Sequence, residues 1–176
     1  TAVLVGTFGG VFNGVLVAYA GLSAFVATLG TLTIFSGLAL LVSNGKTIFG
    51  RAIPEIVGDF SRGGIPLAEG IQLPNLTLIA ILVLILMSII LQHTVFGRNL
   101  HAVGGNREAS MLDGVPVARL RLIAFAVNGA GAAIAGLMLV SRLSSANPTQ
   151  GDGLMLNAIA SVFVGITMSE EGEPNL

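Results

Sequence analysis

Three stretches of this chain carry no formal charge: residues 1–45, 70–97 and 122–141 contain no Asp, Glu, Lys or Arg. Hydrocarbon offers no water to an exposed N–H or C=O, so a chain crosses it as a helix that bonds its own backbone or as a closed barrel. About 20 apolar residues suffice for a helix, and runs of 18 or more with few charges mark one. A barrel would instead alternate apolar and polar residues over roughly ten-residue segments, a pattern these stretches lack. With 53% hydrophobic and 10% charged residues and a mean hydropathy of +0.90, the chain cannot hide its apolar surface in a water-soluble fold of 176 residues. The expected fold is all-α: a polytopic transmembrane helical bundle of about five membrane segments, one of them broken or half-spanning.

The expected spans are residues 1–20, 24–43, 71–92, 122–141 and 154–168. The first carries Gly6, Gly10 and Gly14 at four-residue intervals with Ala18 continuing that face, a spacing that lets two helix backbones approach closely in lipid. The second places Thr28, Gly30, Thr31, Thr33 and Gly37 at mid-membrane. Gly30 is a candidate break, which survives at membrane depth only where protein or a watery cavity satisfies the backbone; alternatively the threonines bond back to their own helix and the glycines pack helices. The third, starting at Ile71 or Pro74, is nearly featureless and expected to face lipid. The fourth gathers Asn128, Gly129, Gly131, Ala132, Ala135 and Gly136 and is expected inside the bundle. The last is short for a full crossing, a half-span or a truncated one. Residues 44–70, with Lys46, Arg51, Pro54, Glu55, Asp59, Arg62, Pro66 and Glu69, and residues 142–153 read as extramembrane loops.

Residues 93–121 form the one long polar passage directly between two such apolar runs. Gly104 and Gly105 break the chain, Asn106 can cap a helix through its side-chain oxygen, and residues 107–113 have room for about two turns before Gly114 ends the helix. Pro116 forbids continuation. So short a helix is marginal alone in water. It reads either as an incidental turn in a solvated loop or as a docking element for a soluble partner, with Met111 and Leu112 as its apolar contacts.

The chemistry open to the chain is narrow. A net charge of −1 leaves no nucleic-acid footprint, and the lack of cysteine removes disulfides and thiol chemistry. His93 and His101 lie eight residues apart in the polar passage with no cluster of acids, so no metal site is expected. The first four spans hold no Asp, Glu, Lys, Arg or His, such as an intramembrane protease or a proton-coupled transporter would need at depth. They hold neutral hydrogen-bonding groups, and Asn13, Thr28, Thr31, Thr33 and Asn128 are the candidate pathway for an uncharged hydroxylated solute. Tyr19 and Asn157 are of the same kind. Energy for uphill movement would enter from outside the spans, through the docking element. Charge does not set the orientation: Arg98, Arg107, Arg119 and Arg121 on one side face Lys46, Arg51, Arg62 and Arg142 on the other. The chain opens at Thr1 inside an apolar run with no basic leader, and reads as a fragment without a signal peptide. A passive channel for small polyols would share the neutral lining, but its paired Asn-Pro-Ala half-helices have one imperfect match, Asn147-Pro148-Thr149. A purely structural membrane subunit would share the small-residue packing without needing a capped polar helix.

Three passages are similar to the permease subunits of ribose-type ABC sugar importers: GGVFNGVLVAYAGLSAFVATLGTLTIFSGLALLVSNG (residues 9–45), FGRNLHAVGGNREASMLDGVPVARLRL (96–122) and SRLSSANPTQGDGLMLNAIASVFVGITM (141–168). Glu108, Ala109, Ser110 and Gly114 resemble the E-A-A-x-x-x-G signature of importer permeases, with Ser110 in place of the second alanine. The resemblance implies that this helix is a coupling helix seated on a cytoplasmic ATPase through Gly105, Asn106, Glu108, Ala109, Met111, Leu112 and Gly114. It implies that residues 93–121 are cytoplasmic and that 44–70 and 142–153 are periplasmic. It implies a multi-pass protein of the bacterial inner membrane that is no enzyme and holds no cofactor, ATP and Mg belonging to the ATPase. The implied partners are that ATP-binding subunit, a periplasmic sugar-binding protein, a second permease copy in a homodimer, and lipid. The complete permease would have two similar halves and about double the spans. Where the family continues past Gly165 into a second glycine, this chain has Ile166 and finishes in SEEGEPNL, so residues 169–176 read as a truncation artefact or a shifted frame.

Overall fold

A computed structural model describes residues 1–49, 63–68 and 71–170, without the side chains of 65–68, 71–72 and 166–170. The expectations for Arg51, Pro54, Glu55, Asp59, Arg62, Glu69 and the tail 171–176 lie outside the described residues. Seven described helices follow in order: α1 (Ala2–Ala18), α2 (Ala24–Ser43), α3 (Asn75–His93), α4 (Val95–Gly105), α5 (Arg107–Leu112), α6 (Val117–Leu143) and α7 (Leu154–Glu170). Two small antiparallel sheets join them. Strand β1 (Ile48–Phe49) pairs with β4 (Ser145–Ala146), and β2 (Gly64–Ala68) pairs with β3 (Ile71–Pro74).

Helices α2, α3 and α6 are long and apolar enough to cross a membrane, and α1 and the 154–165 part of α7 are shorter apolar helices. Their side chains point outward: Leu41 is 74% exposed, Val42 86% and Leu84 69%, and α3 has no buried residue. In water such a surface would drive aggregation; apolar surroundings such as a bilayer suit it. The protein is membrane-embedded.

The interior rests on the antiparallel pair α1 and α6. Gly10, Gly14 and Val17 are the buried residues of α1, facing Leu122, Phe125, Gly129 and Ala133 of α6. A Cβ at Gly6 would stand 2.5 Å from the Ala133 Cβ, and one at Gly14 would stand 3.0 Å from a Leu122 methyl. At Gly10 it would run into the Phe125 carbonyl oxygen, and at Gly129 into the Gly6 carbonyl oxygen. The four-residue glycine spacing is therefore an interface in which backbone meets backbone. Helix α2 lies on another side of α1, where Phe35 comes 3.4 Å from the position a Gly9 Cβ would take.

Several boundaries differ from the sequence reading. The third span does not start as helix at Ile71: residues 71–74 pair with β2, because the residue before Pro74 is pushed to an extended conformation, and the helix begins at Asn75. The 44–70 loop contains β1 and β2 rather than irregular chain alone. Helix α2 runs unbroken through Gly30, whose mid-helix cost of about 1 kcal/mol is too small to open the backbone. Gly104 and Gly105 stay helical at the end of α4, and the chain turns at Asn106, extended at φ −146°. Helix α4 was unforeseen; Thr94 caps it by accepting from the Gly97 N–H at 3.2 Å. Helix α6 starts five residues before the expected 122, since Arg119 and Arg121 are good helix formers that tolerate the interface. It is only half interior, with Asn128, Ala132, Ala135 and Gly136 exposed.

The replacement Gly10→Leu must push α6 away from α1, at about 1–3 kcal/mol for an overpacked site and more where backbone blocks it. A lower melting temperature in detergent is expected, with no effect from the same change at Gly37, which has open space around it. An unchanged melting temperature at Gly10 would contradict the close contact.

Candidate functional site

Two features follow from this frame: a short helix held out at one end, and a polar pair inside the bundle. The end is the one where α1 turns into α2 and α3 hands over to α6.

Helix α5 is tied at both termini. The Asn106 Oδ1 accepts from the Ala109 N–H at 3.0 Å, and the Asn106 carbonyl accepts from the Ser110 N–H at 3.1 Å and from its Oγ at 2.8 Å. At the other end Gly114 takes φ +80°, its N–H bonds to the Met111 carbonyl at 3.1 Å, and the Val115 N–H reaches back to the Ser110 carbonyl at 3.0 Å. This is a glycine-terminated helix end, which only a residue without Cβ adopts freely. Ser110 is 4% exposed, as are Val117 at 4% and Leu120 at 5% just beyond. One side of α5 is therefore anchored while the other stands free: Met111 is 47% and Leu112 89% exposed, and Gly105, Asn106, Glu108, Ala109 and Gly114 are exposed too. Six residues would not hold as a helix alone; the caps and the buried Ser110 hold it here. That inward role of Ser110 was not legible as such, its only signal being a small residue beside the apolar Met111 and Leu112.

In the membrane part, Asn13 of α1 and Thr31 of α2 come together. Thr31 is 4% exposed, and its hydroxyl has two acceptors, Asn13 Oδ1 across the interface at 2.7 Å and, less closely, the Thr28 carbonyl of its own helix at 3.1 Å. Thr28 and Thr33 bond instead to their own helix: Thr28 to the carbonyls of Ala24 at 2.8 Å and Phe25 at 3.2 Å, Thr33 to that of Gly30 at 2.7 Å. Asn128 stands exposed on α6, and among the described residues it makes no hydrogen bond to the Asn13–Thr31 pair. The five candidate residues thus divide into one interhelical pair, two threonines serving their own helix and one open amide. Tyr19 is 59% exposed at the end of α1, and Asn157 accepts at its carbonyl from the Ser161 hydroxyl at 2.8 Å. At the opposite end, the Asn147 Oδ1 accepts from Thr149 N–H at 3.0 Å and Oγ1 at 2.9 Å, closing a turn between β4 and α7. Among the described residues no group of three His, Cys, Asp or Glu could hold a metal ion.

The sequence is similar to known proteins. Over residues 1–173 the chain matches the family described as branched-chain amino acid transport system / permease component. It is 36% identical over 160 residues to the ribose import permease protein RbsC of Bacillus subtilis (strain 168), covering 91% of this chain and 48% of that protein. It is 38% identical over 164 residues to the RbsC of Haemophilus influenzae, covering 93% and 50%. It is 36% identical over 153 residues to the L-arabinose transport system permease protein AraH of Escherichia coli (strain K12), covering 87% and 44%. The chain spans about half the length of the curated relatives it matches. No solved structure matches it. The match along residues 1–173, on a chain folded as apolar helices, places this protein in the branched-chain amino acid transport system / permease component family.

Proposed function

We propose that the chain is the membrane-spanning part of a permease subunit in an ATP-driven importer that moves a small neutral sugar, such as ribose or a related monosaccharide, across the bacterial inner membrane. The observation that carries this reading is α5, an outward helix with two exposed apolar residues, Met111 and Leu112, that nothing described in the chain covers. A cytoplasmic ATP-binding subunit is the partner that would cover it, with Glu108, Ala109 and Gly114 in the signature positions and Gly105 and Asn106 at the entrance. ATP and Mg would sit on that subunit, and this chain would need no cofactor. A periplasmic sugar-binding protein would deliver solute to the opposite end, where β1, β4 and the turn at 147–153 lie, and a second permease copy would complete the pathway. The ribose and arabinose permeases among the relatives support a monosaccharide.

Mechanically, α5 is joined to α6 by only four residues, 113–116, so displacement of α5 bears directly on the buried anchor at Val117 and Leu120. Helix α6 is packed backbone to backbone on α1, and α1 holds α2 through Asn13 and Thr31. A push at α5 would travel along rigid, contiguous contacts to the polar pair. Asn13 keeps its amide N–H donors for a sugar hydroxyl while its oxygen takes the Thr31 proton.

In the full-length protein, Met111→Asp places a charge on a surface that association would desolvate, at a cost of several kcal/mol, so co-purification with the ATPase is expected to be lost. Gly114→Val forces a β-branched residue into a left-handed position at about 1–2 kcal/mol, and is expected to misdirect α5 and weaken co-purification while leaving its surface unaltered. Normal association of both variants would remove the coupling role. For the pathway, Thr31→Val is expected to lower sugar uptake and to loosen the α1–α2 contact by about 0.6–2 kcal/mol, whereas Thr33→Val leaves both unchanged. Uptake and detergent melting measured side by side separate the two effects, and unchanged uptake in Thr31→Val would return Thr31 to packing alone.

A further inference from the structure

The end of the bundle that carries α5 also holds a cavity of about 460 Å³, a size within the rough 300–1,000 Å³ span of small-ligand pockets. Val17 at the end of α1, Leu22 in the turn to α2 and Phe125 on α6 give it apolar walls, and Arg107 and Arg121 line it as well. Among the described residues no acidic side chain lines it. Two cations from different helices thus line one concavity, and no carboxylate is among its lining residues.

Depth identifies the occupant. Arg121 is the last charge before residues 122–141, so it stands at the boundary between water and hydrocarbon. Leu22, which lines the cavity, is 47% exposed, and Phe25, the residue after the lining Ala24, is 71% exposed, so apolar side chains stand open next to the two arginines. A guanidinium fork matches two phosphate oxygens at once, and basic pockets between membrane helices take anionic head groups. We infer that Arg107 and Arg121 hold the phosphate of an anionic phospholipid, with its acyl chains lying along Leu22 and Phe25. A soluble phosphate would gain nothing from the apolar walls. Because Arg107 belongs to α5, Arg121 to α6 and Leu22 to the α1–α2 turn, the bound head group ties the displayed helix to the bundle. The inference does not depend on an ATPase partner.

The test uses the full-length protein in detergent, with native mass spectrometry and thermal melting in the presence of phosphatidylglycerol, phosphatidylcholine or inorganic phosphate. Phosphatidylglycerol is expected to be retained and to raise the melting temperature, and the other two are not. Arg107→Gln and Arg121→Gln are each expected to lower phosphatidylglycerol retention about fivefold, while Arg119→Gln, an exposed arginine outside the cavity, leaves it unchanged. Native-level retention in the double Gln variant overturns the inference, and if that variant also loses a co-purifying protein the arginines serve a protein surface instead. Stabilisation by inorganic phosphate equal to that by the lipid also overturns it, in favour of a free-phosphate site. Should the Gln variants fail to fold, the unaltered protein decides: equal retention of phosphatidylglycerol and phosphatidylcholine sinks the proposal.

Discussion

Close approach of α1 and α6 is the contact on which everything else here depends. Lipid tails are as apolar as leucine, so burying leucines between helices in a membrane gains little. Association comes from van der Waals contact, which falls away with a gap of half an ångström or more. Gly6, Gly10 and Gly129 remove the side chains that would create that gap, and carbonyl oxygens of one helix face glycine backbone of the other. The same logic recurs at smaller scale where Gly97 of α4 meets the Leu91 carbonyl of α3. With α1 and α6 fixed, the start of α6 is fixed as well, and with it the position of α5 four residues upstream.

The polar chemistry of the bundle is sparse and locally satisfied. Thr28 and Thr33 return their hydroxyls to their own helix, which removes a polar group from hydrocarbon without linking anything. Thr31 is different only because Asn13 lies opposite it, so one of three similar threonines becomes an interhelical link. A hydrogen bond of this kind is modest in membranes, about 0.6 kcal/mol on average, so its value lies in orienting the Asn13 amide more than in holding the helices. At the start of α6 the charged residues are Arg119 and Arg121, whose long stems let the guanidinium reach polar surroundings.

Much was legible in the sequence because it depends on composition or on local backbone chemistry. The membrane class follows from charge-free length, since no tertiary arrangement can hide so much apolar surface in a chain this small. The limits of α5 follow from Asn106 and Gly114, whose caps close within a few residues and need no distant partner. The glycine spacing on α1 announced a close contact for the same reason, because only small residues permit one. What tertiary structure alone decided depends on which faces meet. That α6 is the helix meeting Gly6, Gly10 and Gly14, that Thr31 rather than Thr28 finds Asn13, and that Ser110 turns inward while Leu112 turns out cannot be read from spacing. The start of α3 at Asn75 likewise depends on the pairing of β2 with β3. Local bonds are encoded by neighbours in sequence; contacts between segments depend on the rotation of each helix about its axis, which a nearly uniform apolar surface leaves open until the helices pack.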